Sequence, residues 1–201
     1  MKRTLMLLAG PPATGKSYLI TKMRQVISDF FLITPDEIKE MYADKVGFNS
    51  LKEKAILEQD VWKFYYSILE QYMSAGKKVI VSEYPFSDKQ RSRLEDLSAS
   101  YGYQVITIRL VAKFDVLWER RKVRDVEMTR HLSHVMSHYH DGDSLLDRSQ
   151  ADDLINKEEF ANIIADRKYN DFSLGKLIEV DVTDFSQVNY EQLLKEIDQE
   201  L

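Results

Sequence analysis

Cysteine is absent from this 201-residue chain, which excludes disulfides and thiol chemistry and fits a reducing, cytoplasmic setting. Glycine and proline number only seven and four, so collagen-like and low-complexity organisation are also excluded. No apolar run approaches the roughly 18 residues that suggest a membrane span, and no membrane partner is expected. Met1, Lys2 and Arg3 resemble the start of a secretory leader, but the apolar run behind them breaks at Gly10-Pro11-Pro12, so a retained strand is the better reading. An excess of positive charge is missing too. The net charge of −5 disfavours long nucleic acids as partners. What remains is an ordinary globular composition, 44% hydrophobic, expected to form a single domain over residues 1–201.

Against this background, Gly10 to Ser17 reads GPPATGKS, a full match to G-x-x-x-x-G-K-[ST]. The apolar run Thr4 to Ala9 precedes it and reads as a buried parallel strand. Leu19, Ile20, Met23, Val26 and Ile27 follow at helical spacing, on a helix expected to start near Lys16. Strand, glycine loop and helix thus stand in the order that polyphosphate binding requires, with loop N–H groups and the positive helix end facing the ligand. Pro11 and Pro12 have no N–H, so the donors are expected from Ala13, Thr14, Gly15, Lys16 and Ser17. Gly10 and Tyr18 bracket this nucleotide-binding set. Lys16 is expected to reach the terminal phosphates, and Ser17 to ligate magnesium.

Further short apolar runs at 30–33, 79–81, 105–110 and 177–180 alternate with helical stretches, which implies an α/β fold with a parallel sheet covered on both faces. Helices are expected at 51–74, stopping before Gly76; from the capping box Ser87-Asp88-Lys89-Gln90 to about Ser100; at 113–125; and at 190–197. Residues 127–150 hold all four histidines in a polar setting and read as an irregular or mobile insert. The crowding of His131, His134, His138 and His140 makes a zinc site conceivable, but the lack of cysteine and of a second ligand cluster favours substrate-contact histidines.

Several side chains suit chemistry. Asp36 follows the second apolar run and belongs at the carboxyl edge of the sheet, where it could accept a proton from an attacking hydroxyl. Thr34-Pro35-Asp36-Glu37 is also a helix-capping sequence, and both roles are compatible. Glu83, at the tip of the third run, suits a metal contact, against the plainer reading of a solvated loop acid. Six basic residues between Arg109 and Arg124 suggest a compact anion site. Within it, Arg120 and Arg124 share a helix face and suit stacking on a base and clamping phosphates, unless they merely pair with Glu119 and Asp125. Trp62, Phe64, Tyr65 and Tyr66 read mainly as helix core, with one exposed ring available to line a substrate pocket.

GPPATGKS, ITPDEI, VIVSEYPF, LWERRKVRD, RHLSH and IEVDVTDF together resemble the small P-loop kinases, a grouping that spans adenylate-kinase-like, polynucleotide-kinase-like, zeta-toxin-like and chloramphenicol-phosphotransferase-like enzymes. The resemblance implies a P-loop NTPase three-layer sandwich with strand order 2-3-1-4-5, a small lid after the fourth strand (127–150), and ATP with Mg2+ as donor. It implies that Asp36 stands at the general-base position, that Arg120 and Arg124 are lid-helix arginines, and that the Asp181–Asp184 stretch, with Thr183, lies near the adenine. Ser82 departs from the aspartate that relatives often carry. The expected activity is transfer of the γ-phosphoryl group of ATP to a hydroxyl of a small molecule or nucleotide. An ATPase switch acting on a protein partner and a 5′-hydroxyl polynucleotide kinase are the alternatives.

Overall fold

A computed structural model describes residues 2–27 and 29–201. Five parallel strands, β1 (Thr4–Ala9), β2 (Phe31–Ile33), β3 (Val79–Glu83), β4 (Gln104–Val111) and β5 (Lys176–Asp181), form one sheet in the order β2-β3-β1-β4-β5. The central strand β1 is buried along its whole length, as its unbroken apolar run requires. Side-chain alternation divides its neighbours between two cores. Leu5, Leu7, Ala9 and Ile80 face α3 (Leu51–Ser74) and α4 (Asp88–Tyr101), packing on Val61, Tyr65, Leu69 and Leu94. Met6, Leu8, Val79, Val81 and Ile108 face α1 (Lys16–Met23) and α7 (Tyr190–Gln199), packing on Leu19, Met23 and Ile197.

The helix ends follow local chemistry. Thr34 accepts the Glu37 N–H at 3.3 Å and Pro35 opens α2 (Pro35–Val46), which places Asp36 in its first turn. The Gln90 side chain accepts the Ser87 N–H at 3.0 Å at the start of α4, and Gly102 ends that helix in the left-handed conformation. Helix α1 is shorter than its apolar spacing implies: it ends at Met23, and Val26 is exposed rather than part of the buried stripe. Helix α5 (Phe114–Asp125) begins one residue later than expected, with Lys113 as its cap. A helix not read from the sequence, α6 (Lys157–Arg167), is capped by Asn156 and packs Phe160 and Ile164 against Leu117 of α5.

Residues 127–150 hold only two short 3-10 turns, and within them the stretch 131–139 is packed while most of 140–150 is exposed. Leu132, Val135 and Tyr139 share a small core with Ala43 and Phe48, and Phe48 and Tyr139 exchange backbone hydrogen bonds at 2.8 Å in both directions. The histidines turn toward separate partners: His131 to Asp44, His134 to Glu40, His138 to Asp152 and His140 to Asn49. Among the described residues no helix is long and apolar enough to cross a membrane.

Candidate active site

The glycine loop leaves β1 at the carboxyl edge of the sheet. Gly10 has φ +110°, and a Cβ there would stand 2.0 Å from the Leu110 carbonyl oxygen, so only glycine fits against β4. Ala13 (φ +68°) and Gly15 (φ +81°) also take left-handed backbone, giving the loop the alternating turn that points successive N–H groups inward. The Thr14 hydroxyl donates to the Pro11 carbonyl at 2.9 Å and closes the turn. Lys16 is buried beneath it, with Nζ donating to the Gly10 and Pro11 carbonyls at 3.2 and 3.0 Å. Burial lowers its ammonium to about 8, against the opposing pull of Glu83 and Asp36.

Strand alternation explains the serine at position 82. Ser82 lies on the Ile80 face, fully buried, and shares a 2.9 Å hydrogen bond with the Tyr65 hydroxyl. Glu83 falls on the opposite face, above α1, where both its carboxylate oxygens accept from the Ser17 hydroxyl at 3.1 Å. An aspartate at 82 would point into the α3 core; the acid that meets the loop is Glu83. Burial raises its carboxyl above the usual range, with Lys16 and the Ser17 hydrogen bond opposing. Hydroxyl and carboxylate are the hard oxygen donors that magnesium prefers, so this pair fits such an ion.

Two clefts meet at Ser17 and Glu83. One, of about 280 Å³, is walled by Ala13, Gly15, Lys16, Arg120, Arg124 and Phe185. Here Arg120 is held by the Val182 and Thr183 carbonyls at 2.8 and 2.9 Å and stacks on Phe185 at 3.7 Å, so it forms a fixed wall. Arg124 donates to Asp125, a buried carboxylate that also pairs with Arg121 at 2.8 Å. Thr183 stands beside this cleft, its hydroxyl accepting the Lys113 N–H at 3.0 Å. The Tyr18 ring instead packs edge-on against Tyr190, 5.4 Å between centroids, away from both clefts.

The second cleft, of about 330 Å³, lies on the α2 side and is lined by Thr34, Asp36, Glu37, Glu40 and Arg130. Burial opposes ionisation of Asp36, but neighbouring Lys39, with His134 when protonated, Arg130 and Lys16, prevails and holds its carboxyl below the usual range. Lys39 reaches Tyr84 Oη at 3.2 Å and Glu58 at 3.1 Å, contacts that keep it charged despite burial. His134 lies half-buried against Glu40 at 2.7 Å, and desolvation there lowers its pKa.

Sequence reasoning overlooked Lys39, Tyr84 and Glu58 and gave Arg130 little weight. Only Lys39 carried a local signal, one helical turn after Asp36. The expectation of a compact basic site over residues 109–124 needs correction: Arg109 is bound by Glu179 at 2.9 Å and Lys122 by Glu119 at 2.8 Å, because the run spans a strand and several faces of α5. Among the described residues no cluster of three or more metal-ligating side chains is present.

A glycine loop on the central strand of a 2-3-1-4-5 parallel sheet, with an ionised carboxylate facing it across a cleft, defines a P-loop protein of the small-kinase type. Residues 5–141 match the AAA domain family, and the chain belongs to that family. A candidate kinase from Chloroflexus aurantiacus j-10-fl shares the fold with TM-score 0.77 at 23% identity, covering 100% of both chains. The tunicamycin resistance protein of Deinococcus radiodurans follows at TM-score 0.54 and 16% identity, covering 99% of this chain and 95% of that one. A gluconokinase from Sinorhizobium meliloti 1021 matches at TM-score 0.51 and 12% identity over 96% and 88%. Identities this low establish a shared fold. No curated protein matches the sequence.

Proposed function

We propose that the chain is an ATP-dependent phosphotransferase that moves the γ-phosphoryl group of ATP to a hydroxyl of a small molecule or nucleotide. One observation carries the reading: the nucleotide-side and acceptor-side clefts share Ser17 and Glu83, with Lys16 under one and Asp36 in the other. In this reading the loop N–H groups and the Lys16 ammonium bind the β- and γ-phosphates of the donor. Ser17 and Glu83 hold Mg2+, which when bound neutralises charge on the donor phosphates.

Asp36 is ionised at neutral pH, accepts the hydrogen bond of the acceptor hydroxyl and aims its oxygen at the γ-phosphorus. As the new P–O bond forms and the bond to the ADP oxygen breaks, the hydroxyl proton passes to the Asp36 carboxylate. Arg124, steadied by Asp125, lies where charge spreads onto the transferring oxygens. Residues 127–150 bring Arg130 over the acceptor and serve as the lid that excludes water.

ADP release measured with ATP, Mg2+ and a panel of hydroxylated acceptors tests the proposal. Turnover that depends on one acceptor class, and that Lys16→Ala lowers by about 10²-fold to 10³-fold with unchanged circular dichroism, is the expected result. Release indifferent to every acceptor points to an ATPase switch; full activity in Lys16→Ala defeats the nucleotide assignment.

A further inference from the structure

Beyond the acceptor cleft lies a third cavity, of about 410 Å³, between one face of α3, the β3–α4 loop and the end of α6. Its walls are rings. Trp62 and Tyr66 come from successive turns of α3, Tyr84 from the strand end beside Glu83, and Tyr169 from just after α6. Trp62 meets Tyr84 edge-on at 5.0 Å, which leaves the two half-buried rings of Trp62 and Tyr66 along the α3 wall. Flat walls of this kind bind flat ligands by stacking.

The charges at the cavity are unequal. Its acid, Glu58, is engaged by Lys39 at 3.1 Å. Its cations, Lys89 and Arg167, are exposed at the mouth, and among the described residues neither has a carboxylate within ion-pair distance. The cavity therefore offers aromatic walls and two free positive charges. It also adjoins the proposed chemistry, because Tyr84 and Glu58 on its wall are the groups that hold Lys39, whose charge steadies Asp36.

We infer that this cavity binds a planar aromatic ring carrying an anionic group and forms the outer half of the acceptor site. The ring packs against Trp62 and Tyr66, and the anion meets Lys89 and Arg167. The ligand class stands on the cavity alone; its assignment to the acceptor rests on the phosphotransferase reading.

The chain has two tryptophans, Trp62 and Trp118. Trp118→Phe, on the remote α5–α6 contact, leaves Trp62 as the sole reporter. Its emission, excited at the red edge of tryptophan absorption, is titrated with the four ribonucleoside 5′-monophosphates and O-phosphotyrosine, then with their uncharged parents and ribose 5-phosphate. The expected result is saturable quenching by one or more aromatic monophosphates. The uncharged parent should bind about tenfold more weakly or worse, a charge-pair effect, and ribose 5-phosphate should give no response. Lys89→Ala combined with Arg167→Ala, both at exposed positions, should erase the charge preference while the melting curve is retained.

No quenching by any aromatic monophosphate at millimolar concentration overturns the inference, as does quenching blind to charge or unaffected by the double substitution. Which compound quenches separates a nucleotide from a phosphorylated phenol. A compound that quenches Trp62 yet neither elicits ADP release from ATP nor inhibits the release elicited by another acceptor overturns the assignment to the acceptor site and leaves the ligand class standing. Loss of all ATP turnover with Trp62 quenching intact counts against the phosphotransferase reading instead.

Discussion

Half of the residues lining the nucleotide-side cleft come from the contiguous loop Gly10–Ser17, whereas the acceptor-side cleft is assembled from side chains on α1, α2, β3 and the segment after α5. Main-chain donors are fixed by φ and ψ, so the loop's half of the first cleft depends on a few glycines and one lysine. Gly10 shows how strictly: its carbonyl neighbour on β4 leaves no room for a methyl group. The second cleft depends on which ionisable groups surround Asp36, and Lys39, His134 and Arg130 reach it from separate parts of the chain. In the proposed reading, phosphate binding rests largely on this local loop, and acceptor choice on tertiary structure.

That contrast breaks most readily at Asp36. Asp36→Asn should lower kcat by about 10²-fold to 10⁴-fold, the usual reach of a general base, while ATP affinity stays within a few-fold. Equilibrium binding beside steady-state kinetics separates the two. A loss of ATP affinity would show that the clefts are not independent.

The pH profile of Lys16 sharpens the comparison with a smaller effect. Since kcat/KM for ATP reports the free enzyme, it should fall about tenfold per pH unit above about 8, where Lys16 loses its proton. The kcat profile should hold to higher pH, because bound polyphosphate favours the charged lysine. Stability should move the opposite way. The folded-state pKa of Lys16 lies below its ordinary value, so between the two the unfolded chain binds more protons and stability rises with pH. Thermal melts from pH 7 to 10, corrected with a Lys16→Met variant, would reveal this slope; an equal slope in the variant would assign it to other groups.

Smallest of all should be the effect of Thr34→Ala. Losing the cap on α2 should cost about 1 kcal/mol, a drop of about 2–4 °C in Tm for a chain of this size. Turnover should fall much less than in Asp36→Asn. A comparable fall would mean that the cap, through the first turn of α2, sets the position of the carboxylate.

Much of the architecture was legible because its signals are local. The apolar run of β1, the glycine loop, the Thr34-Pro35 cap and the Ser87-Gln90 pair each depend on residues a few positions apart. Helix α6 escaped notice because its buried face is narrow: Phe160 and Ile164 are its only buried side chains, and most of the others are polar or charged. Glu83 was named from its place at the strand tip, but why the acid stands there rather than at 82 was hidden, since a one-residue difference in strand parity reverses the face. Nor does the α3 aromatic set divide by sequence: Tyr65 is core, Phe64 exposed, and Trp62 and Tyr66 border a cavity.

Alone, the sequence determined a phosphate-binding loop on a parallel α/β sheet, because strand period, glycine spacing and the lysine-serine pair are read along contiguous chain. Only the tertiary structure decided that Arg120 is a fixed wall, that Asp36 stays ionised among cations from α1, α2 and the 130s, and that aromatic rings from α3, β3 and the end of α6 enclose a third cavity. The physical reason is range: backbone conformation follows near neighbours, whereas desolvation and Coulomb interaction act between groups that folding alone brings together.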